Sequence, residues 1–410
     1  MSQPHFALCG AFDRHNYGDI LFPLIHRHVI CGEYGEGADV SCYAVKQADL
    51  TNIGGVRAET MSTLIKRIRQ APAQHNVIFC GGDILSADWV TMLGHHLPSD
   101  LLCRGLAAGR RLLGFERANE LLRKAYQQPA RYPYVMDPKE RPLSLHYTAV
   151  GASGFNIERN PQHLHDVAAL LKGASEVSVR DREAQQRLQE AGVDARLVPD
   201  TALIMSDIYP LDELAKQPWQ EDIDTQNGFK HDHYLVFQTA KSYVAGQHEQ
   251  VAEQLADIAA ATGYSILLLP IGRATGHSDA QILKKLFEML KQRGIPCALQ
   301  QSPHVLHIMA SLAFSQAYIG TSLHGAITAY AFGRRVCGIA TQRVKKLHAF
   351  IGTWLLPEEA VSVPDTHFID AFNTLLEQPR NAEAAQQLAV HKGLIYDDIK
   401  RYLQKASYAA

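Results

Sequence analysis

Residues 318–333 read YIGTSLHGAITAYAFG. The apolar start is typical of a short strand, Gly320 to Ser322 supplies small and polar residues for a turn, and the rest carries small residues at helical spacing. The stretch therefore predicts a strand that turns directly into a helix. Repeated along a chain, this unit builds a parallel sheet with helices on its faces.

The same alternation of short apolar runs and helical patterns extends outward in both directions, which predicts an α/β protein. In the first half we expect helices at 19–30 and 61–69 and strands at 5–10, 39–45, 77–80, 147–151, 176–179 and 196–198. In the second half we expect helices at 251–261 and 282–291 and strands at 234–237, 265–269, 297–299, 317–320 and 336–339.

Two polar or basic segments interrupt this order. Residues 209–230 are polar and carry two prolines, so we place the domain linker there. We expect an N-terminal Rossmann-like domain over 1–215, a C-terminal one over 230–375, and a helix within 380–410 that packs back across the hinge. Such an order places a ligand cleft at the carboxyl ends of the strands.

The segment 98–142 is predicted to be a helical insertion in the first domain. It carries nine Lys or Arg against five Asp or Glu. It is either a solvated helical hairpin or a surface that approaches anionic lipid or a lipid-linked phosphate.

The composition limits the class of partner. A chain of 410 residues is expected to hold at least two cores. Forty Lys and Arg against 42 Asp and Glu give a formal charge of -2, so no global field attracts nucleic acid, and we expect small-molecule ligands held by a local site.

The cysteines and the apolar stretches bear on the compartment. Seven cysteines without a C-x-x-C spacing argue for reduced thiols, and no signal peptide or membrane-spanning stretch is evident. We therefore expect a cytoplasmic protein, with contact at the inner face of the membrane as an option. The sequence leaves the oligomeric state open.

Two turns of the first domain are candidate ligand sites. GAFDRHNYGD at 10–19 follows the first strand, and Asn16, Gly18 and Asp19 lie where a helix amino terminus offers N–H groups. The alternative is a plain turn with Asp19 as the helix cap. Gly81, Gly82 and Asp83 follow another strand at the same edge, although paired glycines there could be only a matter of geometry.

Two further strand ends of the first domain carry charges. Arg180 ends VSVRD and offers a planar fork for carboxylate or phosphate, or else it pairs with Asp181 or Asp200 as a structural bridge. Asp181 can cap the helix that begins at Arg182. Asp200, in VPD, is placed near the cleft or at a helix cap.

The strongest candidate is the turn in the second domain. Its Gly320, Thr321, Ser322 and Gly325 can surround an anion with N–H groups and hydroxyls, and His324 lies where it can transfer a proton. A lone histidine is usually structural, so both interpretations stay open from this turn alone.

The ordered set of motifs resembles the polysaccharide pyruvyl transferases, which move pyruvate from phosphoenolpyruvate onto sugars. The set consists of N-Y-G-D at 16–19, G-G-D at 81–83, V-S-V-R-D at 177–181, V-P-D at 198–200, G-T-S-L-H-G-A at 320–326, A-F-G at 331–333 and V-K-K-L at 344–347. Each motif alone is weak, whereas together they cover most of the chain outside the insertion.

The resemblance implies a GT-B-like arrangement with the acceptor on the N-terminal domain and the donor on the C-terminal one. It assigns donor binding to Arg180 and His324. Many relatives have arginine at the position of Ser322 and a third glycine at that of Asp83. Lys241 or Arg273 could replace the missing charge, or either could be a solvated surface residue.

The resemblance also implies a reaction. His324 would supply a proton or stabilise the departing phosphate, and Asp19 or Asp83 would orient or deprotonate a sugar hydroxyl. Phosphoenolpyruvate is the donor substrate and no cofactor is expected. The alternatives are a GT-B glycosyltransferase that uses a nucleotide sugar and a non-catalytic sugar-binding subunit of a polysaccharide assembly system.

No metal site is expected. The pairs His26 and His28, His163 and His165, and His231 and His233 have a spacing that suits a strand-borne metal site, but none has a third ligand at a convincing distance along the chain.

Overall fold

The computed structural model describes residues 4–71, 75–97, 100–155, 158, 160–240, 244, 246–273, 279–340, 344–379 and 382–407. These residues form two compact units. The first unit contains residues up to 201 and from 393 onward, and the second contains those between 202 and 392.

The first unit alternates strands and helices for most of its length. Its strands are β1 (His5–Cys9), β2 (Asp39–Ala44), β3 (Ala48–Asp49), β4 (Arg57–Thr60), β5 (His75–Cys80), β6 (Ser144–Val150), β7 (Glu176–Val179) and β8 (Arg196–Leu197). Its helices are α1 (Tyr17–Tyr34), α2 (Met61–Gln70), α3 (Trp89–Gly94), α4 (Asp100–Leu113), α5 (Phe115–Ala125), α6 (Pro161–Leu171) and α7 (Arg182–Glu190).

The sheet of the first unit has the order β3-β4-β2-β1-β5-β6-β7-β8 and is parallel except for β3. Strands β1, β5 and β6 are buried along their whole length, because helices cover both faces of a parallel sheet. The order of connection reverses between β1 and β5, which makes their carboxyl ends the switch point where such sheets bind ligands.

The second unit repeats this architecture. Its strands are β9 (Ile223–Gln226), β10 (Tyr234–Gln238), β11 (Ser265–Leu268), β12 (Cys297–Gln300), β13 (Ala317–Gly320), β14 (Arg335–Ile339) and β15 (Ala360–Val363). Its helices are α8 (Met205–Ile208), α9 (Leu211–Ala215), α10 (His248–Thr262), α11 (Ala280–Gln292), α12 (Val305–Ala313), α13 (Leu323–Ala331), α14 (Lys345–Trp354), α15 (Ile369–Glu377) and the first part of α16 (Ala382–Ser407).

The second sheet has the order β15-β14-β13-β10-β11-β12-β9. All its pairs are parallel except that of β9 with β12. Here the connections reverse between β10 and β13, so the second switch point lies at the end of β13, where the turn into α13 begins.

Two predicted boundaries differ from the structure. Residues 209–230, expected to be a linker, contain α9 and the edge strand β9, which pairs with β12 inside the second unit. Short polar edge strands such as β9 escape a search for apolar runs. Residues from 393 onward in α16 belong to the first unit, where His26 and Tyr402 form a buried hydrogen bond of 2.9 Å.

The predicted strands at the sheet centres are confirmed to within three residues at each end. The predicted insertion contains α4 and α5. In the described part of the chain no helix combines the length and the apolar character needed to span a bilayer.

Candidate functional site

Three of the predicted motifs follow strands that flank the two switch points. N-Y-G-D follows β1 and G-G-D follows β5, the two strands that flank the first switch point. G-T-S-L-H-G follows β13, which flanks the second. The carboxyl ends of these strands are where doubly wound sheets hold ligands.

Asp19 is not the cap of α1, which corrects that alternative. The helix begins at Tyr17 with Asn16 as its N-cap residue, and Asp19 lies in the first turn. The Asn16 amide donates to Asp19 Oδ2 over 2.8 Å. Asp19 is therefore a buried carboxylate held by its own turn, while Gly18 is buried beside it.

Sequence reasoning missed a cation in this turn, Arg14. Its guanidinium lies 3.1 Å from Asp13 Oδ1 and 3.7 Å from Asp19 Oδ2. His96 Nε2 lies 3.1 Å from Asp13 Oδ2, which also accepts the backbone N–H of Lys46. Burial alone would raise the pKa of Asp13, but the His96 hydrogen bond and the Arg14 charge outweigh burial and lower it.

The backbone of the G-G-D turn requires glycine. Gly81 and Gly82 adopt left-handed φ values of 56° and 74°. A Cβ at Gly81 would lie 2.3 Å from the Phe22 ring, and one at Gly82 would lie 3.5 Å from Asp19 Oδ1. Only glycine fits the first position, and the turn brings G-G-D against N-Y-G-D.

Asp83 is held by Ser153. The backbone N–H of Ser153 donates to Asp83 Oδ1 over 3.0 Å, and the Ser153 hydroxyl donates to Oδ2. Gly151, on the same loop, packs so closely that its Cβ would lie 3.2 Å from Asp83 Cα. The loop after β6 thus fixes this carboxylate.

Arg180 and Asp200 form a buried ion pair, one of the two structural bridges that the sequence left open. Arg180 Nη1 lies 2.9 Å from Asp200 Oδ2, and the arginine is only 5% exposed. A Cβ at Gly151 would lie 3.0 Å from Arg180 Nη2, so the guanidinium packs on the loop that holds Asp83. The first unit therefore gathers Asp83, Arg180 and Asp200 at one edge of its sheet.

Asp181 caps α7, as predicted. Its Oδ1 accepts the Ala184 N–H over 2.8 Å. Burial raises the pKa of this carboxyl, although the Ala184 hydrogen bond and the Arg180 charge act in the opposite direction.

Gln238, at the end of β10, organises the turn of the second unit. Its Oε1 accepts the backbone N–H groups of Thr321 and Ser322, at 3.2 and 2.8 Å, and the Tyr318 hydroxyl at 3.1 Å. These two N–H groups therefore point at Gln238, which corrects the expectation that they surround an anion. The polar end of the apolar run YLVFQ is the only sequence signal for this residue.

Tyr318 explains two glycines of the motif. A Cβ at Gly320 would lie 2.5 Å from the Tyr318 hydroxyl, and one at Gly325 would lie 2.6 Å from it. The buried phenol thus fills the space beside the turn, and both positions admit only glycine without a shift.

His324 lies in the first turn of α13. Ser322 is the N-cap residue and its hydroxyl accepts the Gly325 N–H over 3.2 Å. The backbone carbonyl of His324 accepts the Thr328 hydroxyl over 2.7 Å, and the residue is 8% exposed. The cap and the Gln238 bonds fix the backbone that carries the imidazole.

Asp279 holds the Gln238 side chain that organises this turn, and the sequence did not predict it. Its Oδ2 accepts from Gln238 Nε2 at 2.8 Å and from the N–H groups of Gly272 and Ile271 at 2.9 and 3.2 Å. Burial raises its pKa to about 6 despite these three donors. A chain of hydrogen bonds therefore runs from a buried acid through Gln238 to the turn before His324.

The two candidate cations of the second unit have different outcomes. Arg273 donates to the carbonyl oxygens of Gln301 and Ser302, over 3.0 and 3.3 Å, and burial lowers its pKa. Lys241 lies outside the described residues.

In two of the histidine pairs one member is buried, whereas His28 and His165 are exposed. Burial lowers the pKa of His26 to about 3, and His163 lies among the rings of Phe115, Tyr132 and Phe155. Within the described ranges, no group of three His, Cys, Asp or Glu side chains is arranged to hold a metal ion.

The chain belongs to a transferase family. The family model described as polysaccharide pyruvyl transferase matches residues 16–343, from the asparagine of N-Y-G-D to just before V-K-K-L. No curated protein gives a significant sequence match.

Solved structures share the fold. A UDP-GlcNAc 2-epimerase from Methanocaldococcus jannaschii has a TM-score of 0.55 at 12% identity, covering 96% of this chain and 100% of its own. An S. aureus MnaA–UDP co-structure has a TM-score of 0.56 at 11% identity, covering 99% and 96%. A UDP-N-acetylglucosamine 2-epimerase from Rickettsia bellii has 0.54 at 11%, covering 100% and 97%. The predicted class, two Rossmann-like domains of the GT-B type, is confirmed.

Proposed function

We propose that the protein transfers pyruvate from phosphoenolpyruvate to two hydroxyls of a saccharide, forming a cyclic ketal and releasing phosphate. The family match over residues 16–343 carries this proposal, since it spans both switch points. The saccharide belongs to a cell-surface polysaccharide or its precursor. We place the reaction in the cytoplasm, and the six cysteines that are free thiols in the described residues suit a reducing compartment.

The chemistry requires a proton donor and a base. A proton added to the methylene carbon of phosphoenolpyruvate makes the adjacent carbon electrophilic, so that a sugar hydroxyl can attack it. A second hydroxyl then displaces phosphate and closes the ketal, while both hydroxyl protons leave. We assign the proton donor, or the group that stabilises the departing phosphate, to His324.

The carboxylates of the first unit are assigned to the acceptor. Asp19 and Asp83 are each held by hydrogen bonds, from Asn16 and from Ser153, which fixes their orientation toward a hydroxyl. Arg180 is assigned to a negative group of the donor, with Asp200 holding the guanidinium in place.

The test supplies phosphoenolpyruvate together with hexose acceptors in free, nucleotide-linked, lipid-linked and polymeric form. Phosphate release that requires both substrates, with the mass of one pyruvyl ketal added to the acceptor, is the expected result. Phosphoenolpyruvate without acceptor is the control.

Two results would replace the proposal. Release of a nucleoside diphosphate from a nucleotide sugar, without consumption of phosphoenolpyruvate, would indicate a glycosyltransferase. Saturable sugar binding without turnover on any acceptor form would indicate a sugar-binding subunit.

A further inference from the structure

The hairpin formed by α4 and α5 exposes apolar side chains at its tip. Leu112 is 88% exposed and Leu113 is 49% exposed, at the end of α4, and Leu121 on α5 is 55% exposed. Four of the eight large exposed apolar side chains of the described residues lie in α4 and α5, and Leu112 and Leu113 are adjacent at the tip.

The opposite side of the hairpin is anchored. Phe115 and Leu122 of α5 pack against the core of the first unit. Asn119 is buried and accepts the Trp89 N–H over 2.7 Å, and Arg110 pairs with Asp88 at 3.0 Å. The spacing of these α5 residues places them on one helix face, and Arg117, Leu121 and Lys124 lie on another.

The charges around the exposed leucines are mostly positive. Between residues 110 and 124 there are five Lys or Arg and two Glu. Arg111 and Arg117 directly flank the tip and are exposed, and neither forms an ion pair with another described residue. Glu120, by contrast, is engaged by Arg123 and Lys124.

We propose that the tip of the α4–α5 hairpin docks the protein on the anionic surface of a lipid bilayer. Leucines that enter the headgroup region and arginines that meet anionic headgroups are the combination that interfacial helices use. Two adjacent exposed leucines flanked by arginines fit a bilayer surface better than open solvent, and a second copy of this chain docked on the same tip would bring the same arginines together. Docking does not depend on the proposed reaction, and its test contains no catalytic step.

The first measurement is co-sedimentation of the whole protein with vesicles of phosphatidylcholine alone or mixed equally with phosphatidylglycerol. We expect binding to the anionic vesicles that weakens as salt is raised, because the Debye length falls. The variant R111Q/R117Q should bind about fivefold more weakly per arginine removed. The variant L112S/L113S should lose at least about tenfold.

A matched control is Leu211→Ser. Leu211 is also exposed, at 40%, but it is followed by Asp212 and Glu213, so its loss should leave vesicle binding unchanged. The second measurement introduces a fluorescent signal at the tip. The tryptophan introduced by Leu112→Trp should be quenched by brominated lipid in anionic vesicles, whereas the native Trp89, Trp219 and Trp354 are buried and should not be.

Three results would overturn the proposal. These are absence of binding to anionic vesicles, binding that the tip variants leave unchanged, and an emission of the Leu112→Trp variant that brominated lipid does not quench. A tip variant that changes the oligomeric state by light scattering, with vesicle binding intact, would instead assign the leucines to a contact between copies.

Discussion

The two switch points of the molecule share a topology but are built from different chemistry. At the end of β1 and β5 the first unit places acidic and basic side chains against each other: Asp13, Arg14 and Asp19. At the end of β10 and β13 the second unit places neutral hydrogen bonds around Gln238, supported by one buried acid, Asp279.

The same sheet topology can therefore support two chemically different kinds of site. A pair of charges holds a carboxylate in its ionised form, because the counter-charge stabilises that form. A network of amide and hydroxyl groups fixes a backbone without adding net charge, so the helix that carries His324 is held rigid. We therefore expect the loss of Asp200 in the first unit to lower stability, because Arg180 stays buried and charged, and His324 changes in the second unit to act mainly on rate.

The largest expected effect is on catalysis by His324. In the proposed reaction, His324→Gln should lower the rate of phosphate release by about 10²- to 10⁴-fold, because proton transfer contributes an effect of that size. The unfolding midpoint of the His324→Gln variant should stay close to that of the wild type. The measurement is steady-state phosphate release with phosphoenolpyruvate and an accepted sugar.

The matched control is His391→Gln in the same unit. His391 is buried to a similar degree and packs on the Trp354 ring, so its loss should affect stability and leave the rate nearly unchanged. Equal rate losses for the two variants would remove His324 from the proposed mechanism.

The next largest effect is expected when the buried ion pair of Arg180 and Asp200 in the first unit is broken. Asp200→Asn leaves the buried charge of Arg180 without its ion-pair partner, so the free energy of unfolding should fall by about 3 kcal/mol. Asp83 and Asp181 still act on the Arg180 charge from nearby, which limits the loss. Urea denaturation followed by circular dichroism measures it.

The control is an exposed ion pair in the same unit. Glu59→Gln removes the partner of Arg67 at the surface, where the expected loss is below about 1 kcal/mol. If both substitutions lower the free energy of unfolding by the same amount, burial does not explain the contribution of the pair formed by Arg180 and Asp200.

The third effect tests the buried acid of the second unit. Burial raises the pKa of Asp279 to about 6, above its ordinary value, so the folded state binds its proton more tightly than the unfolded state does. Below its ordinary pKa the Asp279 carboxyl is protonated in both states and does not lower the free energy of unfolding. As the pH rises to about 6, the buried charge lowers that free energy progressively, and above about 6 the loss stays constant. Asp279→Asn keeps an oxygen acceptor for Gln238, Gly272 and Ile271 and removes the charge.

The variant should therefore be more stable than the wild type by roughly 3 kcal/mol above pH 7, and the advantage should shrink as pH falls toward 4. Denaturation of both proteins in parallel from pH 4 to 8 isolates this group, because other titrations cancel in the difference. A difference that is constant across this range would contradict the raised pKa.

The sequence predicted the central strands because residues buried on both faces must be continuously apolar, as in VIFC before G-G-D. It did not predict β3, β4, β9 or β15, which have two to four residues each and lie at or next to a sheet edge. The glycines of G-G-D and G-T-S-L-H-G were singled out as ligand positions, but the Phe22 ring and the Tyr318 hydroxyl account for three of them.

The partners of the candidate residues could not be predicted for a related reason. Gln238 and Asp279 are 41 residues apart and Asp83 and Ser153 are 70 apart, and only the fold brings each pair together. Local pattern identifies a strand end and the polar residue on it. Which polar residue it meets depends on strand order.

The smallest effect compares the helix caps at the two edges. Asp181 caps α7 with a carboxylate and Ser322 caps α13 with a hydroxyl, so Asp181→Ala and Ser322→Ala should each cost about 1 kcal/mol of folding free energy.

Burial raises the pKa of Asp181, which means that its charge is disfavoured in the folded state near neutral pH. Asp181→Asn keeps the acceptor and loses that charge, and it should match the wild type or exceed it slightly at pH 7. Thermal unfolding of the three variants decides the point, and an Asn variant as weak as the Ala variant would show that the carboxylate charge, and not the acceptor oxygen, stabilises α7.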